Sequence, residues 1–154
     1  MQNSFRNSGE SLSRDDIRHV EQTIGITMPE SLADFYMNTN GGFPEKTSWI
    51  VDGEEQVRVQ CFLPMKNRTR FSNTIEATYR TGLEEDYFVK GLVPFAKDFG
   101  GNFVCFDGEG GIVFYTMDTW SAGTDKEQSK KEAMTPITDS FQDFLNGLQP
   151  EPEY

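Results

Sequence analysis

Histidine and cysteine are scarce in this sequence, and their scarcity limits the chemistry that the chain can carry. Its 154 residues include one histidine, His19, and two cysteines, Cys61 and Cys105. Nucleophilic catalysis needs a positioned base, most often histidine, and a structural zinc site needs four ligands. His19 lies beside Arg18 in a predicted helix, distant in sequence from both cysteines. We therefore expect no histidine-assisted nucleophilic catalysis, no metal site and no cofactor; acid/base catalysis by paired carboxylates stays open, because the spacing of carboxylates in the fold is not visible in sequence.

Long apolar runs are also missing from the sequence. No stretch of about 18 apolar residues occurs, as a membrane-spanning helix would require, and residues 1–16 lack the apolar centre of a signal peptide. We therefore expect a cytoplasmic protein. Cys61 and Cys105 both lie in apolar, strand-like runs, which predicts buried free thiols in a reducing compartment; a disulfide between them is the alternative.

Basic residues are few compared with acidic ones. The chain has 14 Lys and Arg residues against 25 Asp and Glu, which gives a formal net charge of -11 at pH 7. Such a surface repels nucleic acid and anionic membranes, because phosphate binding needs a high density of Lys and Arg. The charge favours a basic protein as partner, although acidity also serves simply to keep a protein in solution.

Apolar periodicity predicts helices at both ends of the chain and strands between them. Ser13 and Asp16 form a capping-box pattern before the first helix, a second helix starts near Pro29, and Thr138 or Asp139 caps the last one. A short helix is predicted over 73–81, and strands are predicted over 48–51, 57–63, 92–96, 102–107 and 112–117. This order indicates an α+β fold, a single domain with an antiparallel sheet covered by helices.

The polar stretches set the expected boundaries. Residues 1–12 are predicted to be a flexible N-terminus, residues 13–149 one domain, and residues 150–154 an acidic tail. Within the domain, residues 118–133 are polar and rich in lysine, so we expect an exposed excursion there rather than a packed element.

The stretch PFAKDFGGNFVCFD, residues 94–107, contains the Asp-Phe-Gly triplet that holds magnesium in protein kinases. The other kinase motifs are missing from the sequence, so the triplet predicts a turn between two strands. Gly100 and Gly101 allow the chain to reverse, and the side chains of Asp98 and Asn102 are expected to hydrogen-bond the turn. The residues expected to face the core are Phe95, Phe103 and Cys105.

Three segments, in order along the chain, together resemble the SUKH superfamily. They are Met28-Pro29-Glu30 with Phe35-Tyr36 and Asn40-Gly41-Gly42, the pattern PFA.D.GGN..C.D over 94–107, and ITDSFQDFLNGL over 137–148. The superfamily includes fungal cell-wall-synthesis regulators and many bacterial immunity proteins. The resemblance implies a strongly curved antiparallel sheet flanked by helices, and a binding module without catalytic activity.

A short member of this kind is similar to immunity proteins, which neutralise a toxin encoded beside them. The resemblance therefore implies a cognate toxin domain as partner, blocked by stoichiometric occlusion, and a monomer or weak dimer. Many such toxins are nucleases with a basic substrate-binding face, which suits the net charge of -11. A regulatory scaffold, or a small-molecule-binding or hydrolytic domain with an acidic cleft, is the alternative.

Acidic residues cluster in three predicted turns or loops, where a basic partner could reach them. Electrostatic complementarity of this kind raises association rates, whereas the alternative is that the loops are merely solvated. Asp107 and Glu109 also begin a calcium-loop pattern, but Gly111 and the apolar run after it break that pattern, so a hairpin turn is expected. The candidate partner-binding residues are Asp52, Glu54, Glu55, Glu84, Glu85, Asp86, Asp107 and Glu109.

Overall fold

The computed structural model describes residues 3–117 and 125–152. Along these residues, helices and strands follow one another in an order close to the expected one. The strands are β1 (Phe5–Arg6), β2 (Phe43–Pro44), β3 (Ser48–Val51), β4 (Glu54–Phe62), β5 (Val93–Asp98), β6 (Phe103–Phe106), β7 (Ile112–Tyr115) and β8 (Met134–Thr138). The helices are α1 (Arg14–Ile24), α2 (Glu30–Asn38), α3 (Ile75–Glu84), α4 (Lys126–Ala133) and α5 (Phe141–Gly147).

The main sheet has six strands in the order β3-β4-β5-β6-β7-β8, and β1 pairs with β2 as a separate ribbon. Every neighbouring pair is antiparallel. The register shifts in four of the five pairs of the main sheet, and such bulges bend a strand and increase its twist. The predicted α+β fold with a curved antiparallel sheet is confirmed.

The main core lies between one face of this sheet and helices α1, α2, α3 and α5. Its centre is a cluster of aromatic rings, in which Phe95 of β5 lies 5.4 Å from Phe141 and 5.8 Å from Phe144 of α5, measured between ring centroids. Edge-to-face and tilted arrangements of this kind add to the free energy gained by burial. Tyr36 of α2 is fully buried beside them, and its hydroxyl donates to a backbone carbonyl at 2.8 Å.

The opposite face of the sheet is covered only over part of its width. Val104 and Phe106 of β6 face the main core, while Cys105 between them belongs to a second apolar cluster with Tyr115, as strand alternation requires. The Tyr115 hydroxyl donates to the backbone carbonyl of Tyr87 at 2.7 Å, which fixes the covering loop. The second cluster consists of Phe88, Leu92, Cys105, Val113, Tyr115 and Ala133.

The expectation of an exposed excursion over residues 118–133 is wrong for the part that the structure describes. Residues 126–133 form α4, which buries Ala133 completely, and β8 follows at the edge of the sheet. Residues 118–124 lie outside the described residues. The polar sequence of α4 hid its helical character. Pro136 lies in β8, and an edge strand tolerates proline because one side of it is unpaired.

Capping explains where two of the helices begin. At the start of α1, Ser13 Oγ accepts from the Asp16 amide at 3.1 Å and the Asp16 carboxylate accepts from the Ser13 amide at 2.9 Å, so the predicted capping box is confirmed. The last helix is capped by Ser140, whose Oγ accepts from the Asp143 amide at 3.1 Å. The predicted caps, Thr138 and Asp139, are wrong: Thr138 is the last residue of β8, and the helix begins one residue later than Asp139 would allow, after Ser140.

The N-terminal residues make contacts that the sequence did not predict. Strand β1 pairs with β2, and Leu12 is buried in the main core. The Gly9 amide donates to the backbone carbonyl of Asn40 at 2.8 Å. The Asn40 side chain also bonds both backbone groups of Met65, donating at 3.1 Å and accepting at 2.8 Å. Asn40 therefore ties the N-terminal segment to the chain after β4.

Both cysteines are buried and free, as predicted. Cys61 in β4 and Cys105 in β6 are separated by β5. Two strand spacings amount to roughly 9–10 Å, which exceeds the Cα separation that a disulfide allows. Burial raises the pKa of both thiols, so neither is activated as a nucleophile.

Candidate partner-binding surface

The first predicted acidic group lies at the β3–β4 turn. Asp52 and Glu54 are exposed there, but Glu55 points back into the fold. One Glu55 carboxylate oxygen accepts from Ser48 Oγ at 2.5 Å and from Arg58 Nε at 3.1 Å. Burial raises the pKa of Glu55, but these hydrogen bonds outweigh burial and lower it. Glu55 therefore holds the edge of the sheet, whereas Asp52 and Glu54 stay open to solvent.

The second predicted group lies at the end of α3 rather than in a loop. Glu84 is the last residue of the helix and Glu85 is its C-cap. Asp86 follows in the left-handed region, with φ 61°, and accepts from Lys130 Nζ at 2.6 Å and Lys126 Nζ at 3.4 Å. These two lysines lower the pKa of Asp86. Asp86 thus attaches α3 to α4 while staying exposed, and Glu84 and Glu85 are exposed without such a contact to α4.

The third predicted group is the β6–β7 hairpin. One Asp107 carboxylate oxygen accepts from the amides of Glu109 and Gly111, each at 2.9 Å. The same device holds the β5–β6 hairpin, where one Asp98 carboxylate oxygen accepts from the amides of Gly100 and Asn102, each at 2.8 Å. The prediction that the Asp98-Phe99-Gly100 triplet lies in a turn between two strands is confirmed. In the third predicted group, Asp107 holds the β6–β7 turn, whereas Glu109 is exposed.

The three predicted groups do not form one surface. Val59 of β4 pairs with Asp98 of β5, so the β3–β4 turn and the β5–β6 turn lie at one end of the sheet. Val93 of β5 pairs with Phe106 of β6, which places the β6–β7 turn at the opposite end. The end of α3 leads into Phe88, which covers the outer face over β6 and β7. One partner domain could contact all three groups only by wrapping around the molecule.

The β6–β7 turn is instead joined by acidic residues that the sequence did not single out. A Cβ built on Gly110 would lie 3.7 Å from Pro29, just before α2. Thr138 pairs with Ile112, so the β8–α5 turn lies here as well. Arg14 forms an ion pair with Asp34 of this group at 3.5 Å. We name this group the acidic end: Glu30, Asp34, Asp107, Glu109, Asp139 and Asp143.

A groove opens between α2 and α5, next to the acidic end. Its volume is about 560 Å³, and its apolar lining comes from Phe35, Leu145 and Leu148. Asp34 and Lys46 stand at its rim, together with side-chain amides that include Gln142. Gln142 and Asn146 recur at helical spacing on α5, which is the signal in the sequence that could have pointed to the groove. An apolar floor with a rim of amides, one carboxylate and one cation suits a polar protein loop.

The motif segments are held in the fold as one unit. The Asn-Gly-Gly segment after α2 contacts the end of β4, where a Cβ on Gly41 would lie 2.8 Å from the Leu63 carbonyl oxygen. A model of the SMI1 / KNR4 family (SUKH-1) matches residues 11–147. The chain belongs to this family. The SUKH resemblance seen in the sequence is therefore confirmed over most of the chain.

One curated relative adds a prophage context but no activity. The chain is 22% identical to the SPbeta prophage-derived uncharacterized protein YokK of Bacillus subtilis (strain 168), over 91% of this chain and 76% of the relative. The SUKH family includes toxin immunity proteins, its members in general bind cognate toxins, and it is generally non-catalytic. In residues 3–117 and 125–152, no group of three or more His, Cys, Asp or Glu side chains could hold a metal ion. No helix in those ranges is long and apolar enough to cross a membrane.

Proposed function

We propose that this SUKH-1 protein is an immunity protein that binds and neutralises a cognate bacterial toxin, a basic nuclease-type domain, in the cytoplasm. Membership of a family that includes toxin immunity proteins is the observation that carries the proposal. The net charge of -11 supports a basic partner. A nuclease must expose a cationic face to bind phosphates, and an acidic protein seated on that face blocks it without any chemistry.

The acidic end and its neighbouring groove are the surface that we propose for this contact. Six carboxylates lie there against three cations that line the adjoining recesses, Arg14, Arg18 and Lys46, so negative charge predominates and favours a basic partner. Electrostatic steering raises the association rate, and the groove offers apolar surface to hold the complex once formed. Of the other predicted residues, Asp52, Glu54, Glu84 and Glu85 are exposed and stay candidates for a rim that speeds encounter.

Co-expression tests the proposal directly. Cells that express the toxin domain encoded next to this gene should stop growing, and expression of this protein should restore growth. A stable complex of the two purified domains in equal amounts should then form and block toxin activity in vitro. Continued growth arrest together with no complex would remove the immunity function, whereas rescue without a complex would remove occlusion as the mechanism.

A further inference from the structure

Phe99 is the most exposed large apolar side chain in the ranges that the structure describes, with 63% of its surface open to solvent. It lies at the tip of the β5–β6 hairpin, directly after Asp98. The Asp98 carboxylate accepts hydrogen bonds from two backbone amides and from Asn102 Nδ2. The tip is therefore held in one conformation, and Phe99 projects from a fixed position. An aromatic group ordered before binding loses less entropy when it is buried by a partner.

Phe99 belongs to a continuous aromatic surface. It lines a recess of about 510 Å³ together with Phe43 and Pro44 of β2. The Phe43 ring packs edge-on against Phe71 at 5.3 Å between centroids, and Phe71 is itself 40% exposed. The Arg70 guanidinium lies 4.7 Å above the Phe71 ring. Exposed aromatic groups with arginine are the composition of interaction hot spots. We name the set Phe43, Pro44, Phe71 and Phe99 the aromatic face.

Charges of both signs lie around the aromatic face. Arg6 and Glu45 line the same recess, both are exposed, and no ion pair between them is recorded among the described residues. The charged residues that line the recess or contact its aromatic rings are Arg6, Arg70, Glu45 and Glu151. Two cations against two carboxylates leave this face balanced in a chain of net charge -11.

We propose that the aromatic face is the interface of a symmetric homodimer, in which Phe99 of each protomer enters the recess of its partner. A two-fold interface must be self-complementary, and here a projecting side chain lies beside a recess of the same surface. Arg6 and Glu45 extend this complementarity, because a two-fold axis that passes between them pairs the arginine of one protomer with the glutamate of the other. A second copy is repelled by every acidic part of the surface but not by this neutral face.

The charge of the face also argues against other occupants. A basic partner meets Arg6 and Arg70 without a surplus of carboxylates, and gains nothing that the acidic end does not offer in greater measure. An acidic partner meets Glu45 and Glu151. A second copy, which carries both signs in matching positions, is the occupant for which each charge has a counterpart.

Sedimentation of the purified protein tests the dimer over a range of concentrations. The wild-type mass should rise from 17.5 kDa towards twice that value between about 1 µM and 1 mM, a range typical of weak complexes. Phe99→Ser should weaken dimerisation about 10–100-fold, as expected for a hot-spot residue. Val51→Ser removes another exposed apolar side chain, 38% exposed and outside the aromatic face, and should leave dimerisation unchanged. A monomeric wild type at the highest concentration, or a dimer that Phe99→Ser leaves intact, overturns the proposal.

A charge exchange tests the two-fold geometry separately. Arg6→Glu alone and Glu45→Arg alone should each weaken the dimer, because each places like charges opposite one another. The double variant Arg6→Glu/Glu45→Arg should regain most of the lost affinity, since both pairs are then restored in reversed order. A double variant that is as weak as the two single changes combined would overturn the pairing. Both side chains are exposed, so unchanged melting temperatures would show that the variants fold.

Discussion

The acidic end and the aromatic face lie at opposite ends of the same sheet and differ in the forces that they offer a partner. The acidic end presents six carboxylates, whereas the aromatic face presents Phe99 and Phe71 within balanced charge. Exposed charge acts at long range and governs the association rate. Buried aromatic contact acts at short range and governs the dissociation rate. The two regions therefore depend on different forces, and a substitution in one region can leave binding at the other unchanged.

Added salt should change binding at the two regions in opposite directions. Screening acts over about 8 Å at physiological ionic strength, so added salt should slow the association of a basic partner with the acidic end. The same salt should strengthen the homodimer, because it screens repulsion between two chains that each carry a charge of -11. Slower association with the toxin domain together with a tighter homodimer would support this distinction between the two regions. A change in the same direction at both regions would argue against it.

The largest expected effect comes from the core that carries both regions. Phe95→Ala in β5 removes a fully buried ring that contacts Phe141 and Phe144. Such a truncation costs about 3–5 kcal/mol of unfolding free energy, and both binding activities should be lost together on warming. Urea unfolding measures the change. The matched control is Phe99→Ser, whose ring is exposed and whose free energy of unfolding should stay close to that of the wild type; equal losses in the two variants would contradict the assignment of Phe99 to the surface.

A smaller effect should distinguish the turns that hold the two regions. Asp98→Ala removes three hydrogen bonds from the turn below Phe99, and Asp107→Ala removes two from the turn at the acidic end. A hydrogen bond to a charged group contributes about 1.5–3 kcal/mol. Because Asp98→Ala removes one more such bond than Asp107→Ala, it should lower the free energy of unfolding by more. Asp98→Ala should also weaken the dimer, while Asp107→Ala should not. A larger loss of unfolding free energy in Asp107→Ala would show that the number of hydrogen bonds does not set the stability of these turns.

The sequence predicted most elements of the fold because their signals are local. The capping box of Ser13 and Asp16 and the glycines of the β5–β6 turn need only neighbouring residues, and each was found at its predicted place. Strand β8 and helix α4 were missed because their stability comes from distant partners. Ala133 is buried by residues far away in sequence, and Lys130 is buried beside Asp86.

The binding surface was less predictable, because distance around a sheet is not visible in sequence. The predicted acidic groups proved to lie at two ends and on the outer face of the sheet, which only the strand register reveals. The sequence does not show that Glu55 and Asp86 are paired, but Glu55 forms an ion pair with Arg58 and Asp86 with Lys130. The sequence indicates only that Phe99 lies in a turn, since its exposure depends on how the hairpin projects from the fold.

Charge reversal should sharpen the comparison in the toxin complex. Glu109→Lys/Asp139→Lys changes two exposed residues of the acidic end and should slow association with the toxin domain about tenfold at low salt, because steering is lost. Glu84→Lys/Glu85→Lys changes the net charge by the same amount at the end of α3, and should slow association about twofold. Stopped-flow kinetics at several salt concentrations measures both. If the two variants behave alike, net charge rather than the acidic end directs the encounter.

The smallest effect concerns a carboxylate that holds the fold rather than a partner. Lys66 Nζ donates to Asp16 Oδ1 at 2.7 Å, and this bond, with those from Ser13, lowers the pKa of Asp16 to about 2. Because the pKa is depressed, the folded state is favoured while Asp16 is ionised. The contribution is therefore present above the ordinary value of 3.8 and is lost as the pH falls towards 2.

Lys66→Met should remove this part of the acid sensitivity. Its melting temperature should lie slightly below that of the wild type at pH 6, and the two should converge as the pH falls from 4 to 2, over the range set by the lowered pKa of Asp16. Glu109→Gln, which changes an exposed carboxylate of the acidic end, should follow the wild-type curve throughout. Thermal melts across this pH range measure the difference. A Lys66→Met curve parallel to the wild type down to pH 2 would mean that the pair does not persist in solution, and that the carboxylates of α1 are as available to a partner as those of the acidic end.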